Sequence, residues 1–173
     1  MRKHIKKCLS LILILAMLVG MLPTTAFAAN TADNYMKIYH LDCGRKYFSA
    51  DQIKDLLDTL SANDFNYMEL AFGNNGLRFL LNDMSVEVNG SSYSSADVTA
   101  AIQAGNKNYT TASTGELSES EMDEIIAYAD NKGIEIIPLL NSPGHMHALR
   151  DAMESLSDTT YSYYGSASTI DVT

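Results

Sequence analysis

The residues of this chain that could do chemistry gather in three short polar stretches. Asp42 and Arg45 stand three apart in Leu-Asp-Cys-Gly-Arg. A guanidinium oriented by a carboxylate can fork onto sugar hydroxyls, and the same two side chains can equally form a structural ion pair. Asn141, Ser142, Pro143, Gly144 and His145 make the second stretch. An imidazole in such a loop can contact a sugar or relay a proton near neutral pH. Asn74, Asn75 and Arg78 make the third, either as pocket-lining groups or as turn residues.

Other candidates point away from chemistry. His145 and His147 are two apart, whereas helical zinc pairs stand four apart, and no cysteine or acid lies beside them, so no metal is expected. His40 falls inside a strand and reads as a packed or hydrogen-bonded histidine. Asp123-Glu124 is an adjacent acid pair, but it falls in the first turn of an amphipathic helix. Acids there favour the helix dipole and face water, so the pair reads as structural.

The polar stretches lie where strands end. Tyr35 to Leu41 and Tyr67 to Phe72 read as strands, and the apolar run Ile134 to Leu140 suits a parallel strand covered on both faces. Pro138 in that run has no amide hydrogen and implies a local break in the ladder. Helices are predicted over Ser49 to Asn63 and Ser118 to Asn131. Ser49 with Gln52, and Ser118 with Glu121, have the spacing of capping boxes. Ile53, Leu56, Leu57 and Leu60 make one apolar face; Met122, Ile125, Ile126 and Ala129 make the other, and Gly133 ends that helix. Met146, Leu149, Met153 and Leu156 follow the His145 loop with helical spacing. Between Leu77 and Leu117 runs a long connection. A hairpin is expected there, from Leu77–Leu81 and Met84–Val88 about Asn82-Asp83, with a short helix over Ala96 to Ala104. The order β-α-β-insert-α-β-α predicts an α/β fold with a parallel sheet, as begins both a doubly wound sheet and a barrel. In both, ligands bind at the C-terminal ends of the strands. The first crossover lacks G-x-G-x-x-G, against a dinucleotide, and no cofactor is expected.

Residues 1–28 read as a secretory signal peptide. Arg2, Lys3, Lys6 and Lys7 precede an apolar core, and Ala26-Phe27-Ala28 supplies the cleavage pattern. Residues 29–173 then carry eight cations against 21 acids, a net charge of −13. So acidic a surface repels phosphate backbones and excludes nucleic acid and anionic membrane, while a neutral sugar is compatible. Only Cys43 survives cleavage, so no internal disulfide is available. Asn89-Gly90-Ser91 and Asn108-Tyr109-Thr110 match the glycosylation pattern and read as turn chemistry.

Three segments, in matching order and spacing, carry a resemblance. They are Leu41 to Ser49 (LDCGRKYFS), Gly73 to Met84 (GNNGLRFLLNDM) and Gly133 to His145 (GIEIIPLLNSPGH). The chain from Tyr35 onward resembles glycoside hydrolase family 20, the β-N-acetylhexosaminidases and lacto-N-biosidases; the second segment is most similar to the lacto-N-biosidase branch. The resemblance implies an incomplete (β/α)8 barrel: about the first three βα units, with the hairpin-containing insert after the second strand. It implies a retaining exo-glycosidase of bacterial secretion or cell surface, acting on an oligosaccharide through the substrate's own acetamido oxygen. By position, Arg45 would bind hydroxyls of the terminal N-acetylhexosamine, Asp42 would hold Arg45, and Asn141 and His145 would support the pocket. The catalytic Asp-Glu pair belongs to a fourth strand, beyond Thr173, so this chain alone is expected to be inactive and marginally stable. The sequence departs from the family where the third-strand loop reads Leu139-Leu140-Asn141 instead of carrying an acid, in having no Trp, and in lacking the small domain that often precedes the barrel. The alternative is a secreted carbohydrate-binding or interaction module with no catalytic half.

Overall fold

A computed structural model describes residues 35–88, 90–110 and 114–172. The export segment expected over residues 1–28 lies outside them, as does Asn89. The elements in order are β1 (Ile38–Asp42), α1 (Ala50–Ser61), β2 (Tyr67–Asn74), β3 (Gly76–Leu77), β4 (Val86–Val88), β5 (Ser91–Tyr93), α2 (Ser95–Tyr109), α3 (Glu119–Asn131), β6 (Glu135–Leu140) and α4 (His147–Ser157), then a 3-10 turn at Tyr163–Gly165. β2 lies between β1 and β6 and runs parallel to both, while β3 folds back antiparallel on the end of β2.

Strand register sorts the side chains onto two faces. Leu41 pairs with Leu70, and Met68 pairs with Ile136. These pack against Ile53, Leu57 and Leu60 of α1 and Met122, Ile125 and Ala129 of α3. Each leucine, isoleucine or methionine fully buried here contributes about 1.5–3 kcal/mol, so this helix-facing layer holds the unit together. The opposite face carries His40, Glu69 and Ile137 in one row. His40 Nδ1 lies 2.6 Å from Glu69 Oε1, the hydrogen-bonded histidine that the sequence suggests.

Both capping boxes form. Ser49 Oγ accepts from the Gln52 amide at 3.3 Å and Gln52 Oε1 accepts from the Ser49 amide at 3.0 Å; Ser118 and Glu121 do the same at 3.3 and 2.8 Å. Gly133, with φ of +71°, takes the left-handed turn that stops α3. The acids in the first turn of α3 are Glu119 and Glu121; Asp123 and Glu124 follow in its second turn, both exposed, and Glu124 lies 3.5 Å from Lys54.

The structure corrects several expectations. No hairpin forms about Asn82-Asp83. The antiparallel pair is β4 with β5, Val86 opposite Tyr93 and Val88 opposite Ser91, so the chain reverses between Val88 and Ser91. Asn-Gly is the stronger hairpin signal, and Gly90 has φ of +79°. Leu77–Leu81 pairs elsewhere: Leu77 lies opposite Gly73, and Phe79 bridges Leu117. The short helix expected over Ala96–Ala104 is 15 residues long, capped by Ser94. Ile126 is 48% exposed and does not join the buried stripe of α3. In α4 the fully buried residues are Ala148 and Ala152 rather than the larger side chains. The cause is close packing on α2, where a Cβ at Gly105 would run into the Ala148 backbone. β6 is an edge strand among the described pairings and is only partly buried, so it is not covered on both faces. Pro138 stays in register with Leu70 because an edge position needs no outward donor; the irregularity falls instead between Ala71 and Gly73.

Candidate functional site

β1, β2 and β6 are parallel, so their C-terminal ends share one rim. Asp42 closes β1 and is half-buried there. Its Oδ1 accepts from the Arg45 amide at 3.1 Å, its Oδ2 accepts from Asn74 Nδ2 at 2.7 Å, and Arg45 Nε lies 3.5 Å from that same oxygen. One carboxylate therefore shapes the turn, orients the guanidinium and ties the turn to β2. The Arg45 side chain remains 51% exposed, so its fork is open to a ligand even while paired. Glycine at 44 is required by space: a Cβ would lie 2.8 Å from the Asn74 Cβ and closer still to its backbone.

The His145 loop is laced to the same end of β2. The Asn75 amide donates to the His145 carbonyl at 2.5 Å, the Ala148 amide donates to the Asn75 carbonyl at 2.7 Å, and the Asn141 amide donates to the Gly73 carbonyl at 2.9 Å. Asn75 and His145 both have positive φ, +66° and +58°. A shallow cleft results, lined among others by Gly73, Asn75, Leu140, Asn141 and His145. Asn74 and Asn75 thus join the two loops, one bonding Asp42 and the next bonding His145. Of the four residues singled out by sequence, Asp42 ends β1, and Arg45, Asn141 and His145 lie on the loops beyond β1 and β6 at this rim.

Other singled-out residues lie elsewhere. His147 opens α4, 3.5 Å from Asp151 and tilted against Tyr109 at 5.6 Å between ring centres. Among the described residues no group of three His, Cys, Asp or Glu side chains could hold a metal ion. Cys43 is 1% exposed, and burial, then the Asp42 charge, push its thiol up to about 12. It is a neutral core side chain, not a nucleophile. Arg78 is also 1% exposed and does not line the cleft. Its Nη1 donates to the Gly115 carbonyl at 3.3 Å and lies 3.8 Å from Glu116. Burial lowers its pKa and Glu116 raises it.

Sequence reasoning passed over Asn106, which is 1% exposed. Its Oδ1 accepts from the Leu77 amide at 2.8 Å, and its Nδ2 donates to the Leu77 carbonyl at 2.7 Å and to Glu116 Oε1 at 2.8 Å. The amide thereby substitutes for a strand partner and fastens β3 to α2. The signal was present: Val98, Ile102 and Asn106 recur every four residues, which puts a polar amide on a buried stripe.

The sequence pattern of the glycosyl hydrolase family 20 catalytic domain matches residues 37–171. Among solved structures, the chain is 41% identical to the pneumococcal exo-β-D-N-acetylglucosaminidase StrH, which has tandem catalytic modules of that family. The match has a TM-score of 0.74 and covers 78% of this chain and 34% of that one. It also resembles the β-hexosaminidase of Streptomyces plicatus (22% identity, TM-score 0.54, 79% of this chain and 26% of that one) and the β-N-acetylhexosaminidase of Bacteroides fragilis (23%, 0.54, 78% and 25%). These two likenesses bear on the fold alone. The chain spans about a quarter to a third of the structures it matches.

Proposed function

As the chain belongs to glycosyl hydrolase family 20 and folds as part of a (β/α)8 barrel, we propose that it supplies the sugar-binding rim of an exported bacterial glycosidase. The enzyme would release terminal β-linked N-acetylhexosamine, or the disaccharide lacto-N-biose, from a neutral oligosaccharide. In this reading Arg45 forks onto hydroxyls of the terminal sugar, and Asp42 keeps the guanidinium aimed. Asn141 and His145, which line the cleft, support the pocket. Hydrolysis is retaining and substrate-assisted: the acetamido oxygen closes on the anomeric carbon as an acid protonates the leaving oxygen, and water then opens the resulting ring. The described strands carry the binding half of that scheme. Among the described residues the one adjacent acid pair, Asp123-Glu124, is on the surface of α3, so it is not the acid that acts.

The observation that carries the reading is the triple use of the Asp42 carboxylate, which leaves the Arg45 side chain half exposed at the strand rim that also carries the His145 loop. A charge-assisted fork of this kind is worth about 1.5–3 kcal/mol. The test is release of nitrophenol from a nitrophenyl β-N-acetylglucosaminide by the product of the complete reading frame. Arg45→Ala should lower kcat/KM by roughly 10- to 100-fold; an unchanged kcat/KM would remove Arg45 from the site and the proposal with it.

A further inference from the structure

Beyond α4 the chain turns back over the His145 loop. The Ile170 amide donates to the Pro143 carbonyl at 2.9 Å, the Met146 amide donates to the Ser168 carbonyl at 2.8 Å, and Arg150 Nη1 donates to the Ser166 carbonyl at 3.2 Å. Ser162 and Ile170 pair antiparallel across this excursion. Its tip reverses through Tyr164 (φ 48°, ψ 35°) and Gly165 (φ 73°), closed by the Ser166 amide donating to the Tyr163 carbonyl at 2.9 Å. Two successive positive φ values with that bond are the signature of a type I′ turn, whose first central position favours Asn, Asp or Gly. A tyrosine there is strained, because its Cβ crowds the backbone in the left-handed region. The strain holds an aromatic ring in water: Tyr164 is 91% exposed, and Tyr163, 46% exposed, braces it edge-on at 4.4 Å between ring centres and 80° between planes. A strained residue that presents a large apolar surface, on an excursion hydrogen-bonded to the His145 loop, is the kind of outlier from which function is inferred.

We propose that Tyr164, braced by Tyr163, is a stacking platform for a second sugar ring of a bound glycan, on the leaving-group side of the ring held at Arg45. This rests on the reading of the rim as a site for a terminal N-acetylhexosamine. An exo-acting pocket takes the chain end, so further rings extend outward along the rim. A pyranose presents an apolar C–H face that suits an aromatic ring, and the tyrosine hydroxyl can meet its hydroxyls. A neutral ring also avoids the acidic surface.

The experiment uses the product of the complete reading frame with ring-labelled tyrosine, titrated by NMR with N-acetylglucosamine and with its β-1,4-linked trimer. The trimer should shift the Tyr164 ring and bind more tightly than the monomer. Tyr164→Asn should lower that preference about five- to tenfold while raising Tm, because asparagine relieves the turn. Tyr164→Phe should keep most of the preference. A preference that survives Tyr164→Asn, or a fall in Tm with that variant, overturns the platform. If the monomer perturbs Arg45 but the trimer leaves Tyr164 unmoved, the platform alone falls. If neither sugar binds at Arg45, the reading of the rim falls as well.

Discussion

Replacing Asn106 by leucine tests how the rim is held in place. The volumes are similar, so no cavity forms, but three hydrogen bonds are lost: those to the Leu77 amide, the Leu77 carbonyl and Glu116. Each backbone group left without a partner costs about 1–3 kcal/mol, and loss of the bond to Glu116 adds about 1 kcal/mol. The expected destabilisation is therefore about 3–7 kcal/mol, a large share of the 5–15 kcal/mol typical of a domain. Urea unfolding should show a lower midpoint at unchanged slope, and amide exchange at Leu77 should accelerate. The effect should also reach the site. Gly76 is packed so tightly on the Gly44 carbonyl that a Cβ would collide with it, so loosening β3 frees the Arg45 turn. Asn106→Asp supplies a control with a sign. Its carboxylate keeps the acceptor for Leu77 but faces Glu116, which raises its folded pKa. The variant should be unstable at neutral pH and recover as pH falls through that raised value, when the protonated acid can donate again. A loss below about 1 kcal/mol for Asn106→Leu would refute the strand-substitute role.

Three further outcomes follow from the same geometry. Asp42→Asn keeps an acceptor for the Arg45 amide but removes the charge opposite its guanidinium, so KM for an N-acetylhexosaminide should rise about tenfold with little change in Tm. Cys43, with its thiol near 12, should resist iodoacetamide at pH 8 in the folded protein and react on unfolding, as read by mass spectrometry. Asp58 is held below the usual carboxylate range by hydrogen bonds from Lys132 and then Tyr128. Its contribution is present above the unfolded carboxylate pKa and lost as pH falls through the lowered folded value, so Asp58→Asn should flatten the acid limb of a Tm-against-pH curve.

Local signals were legible wherever one element settled them. The capping boxes at Ser49 and Ser118 needed only three residues of context, and the loop positions of Arg45, Asn141 and His145 followed from strand ends. Features that depend on distant partners were not legible. Arg78 sits four residues after Asn74 yet is buried, because Gly115 and Glu116 return to meet it from far along the chain. The larger side chains of α4 gave the period, but Gly105 on another helix decided that Ala148 and Ala152 would lie innermost. The hairpin was misplaced because apolar spacing was weighed above Asn-Gly turn chemistry. Asn106 was overlooked because a polar residue on a buried stripe shows its use only once Leu77 is seen beside it.

On the proposed reading, Arg45 and His145, whose loops are joined through Asn74 and Asn75, should contact the same sugar. NMR titration of the complete reading-frame product with N-acetylglucosamine, following the Arg45 Nε–H and the His145 ring together, measures this directly. Both signals should move along one binding curve with a single Kd. Movement of only one of them, or two curves with different Kd values, would contradict the shared site.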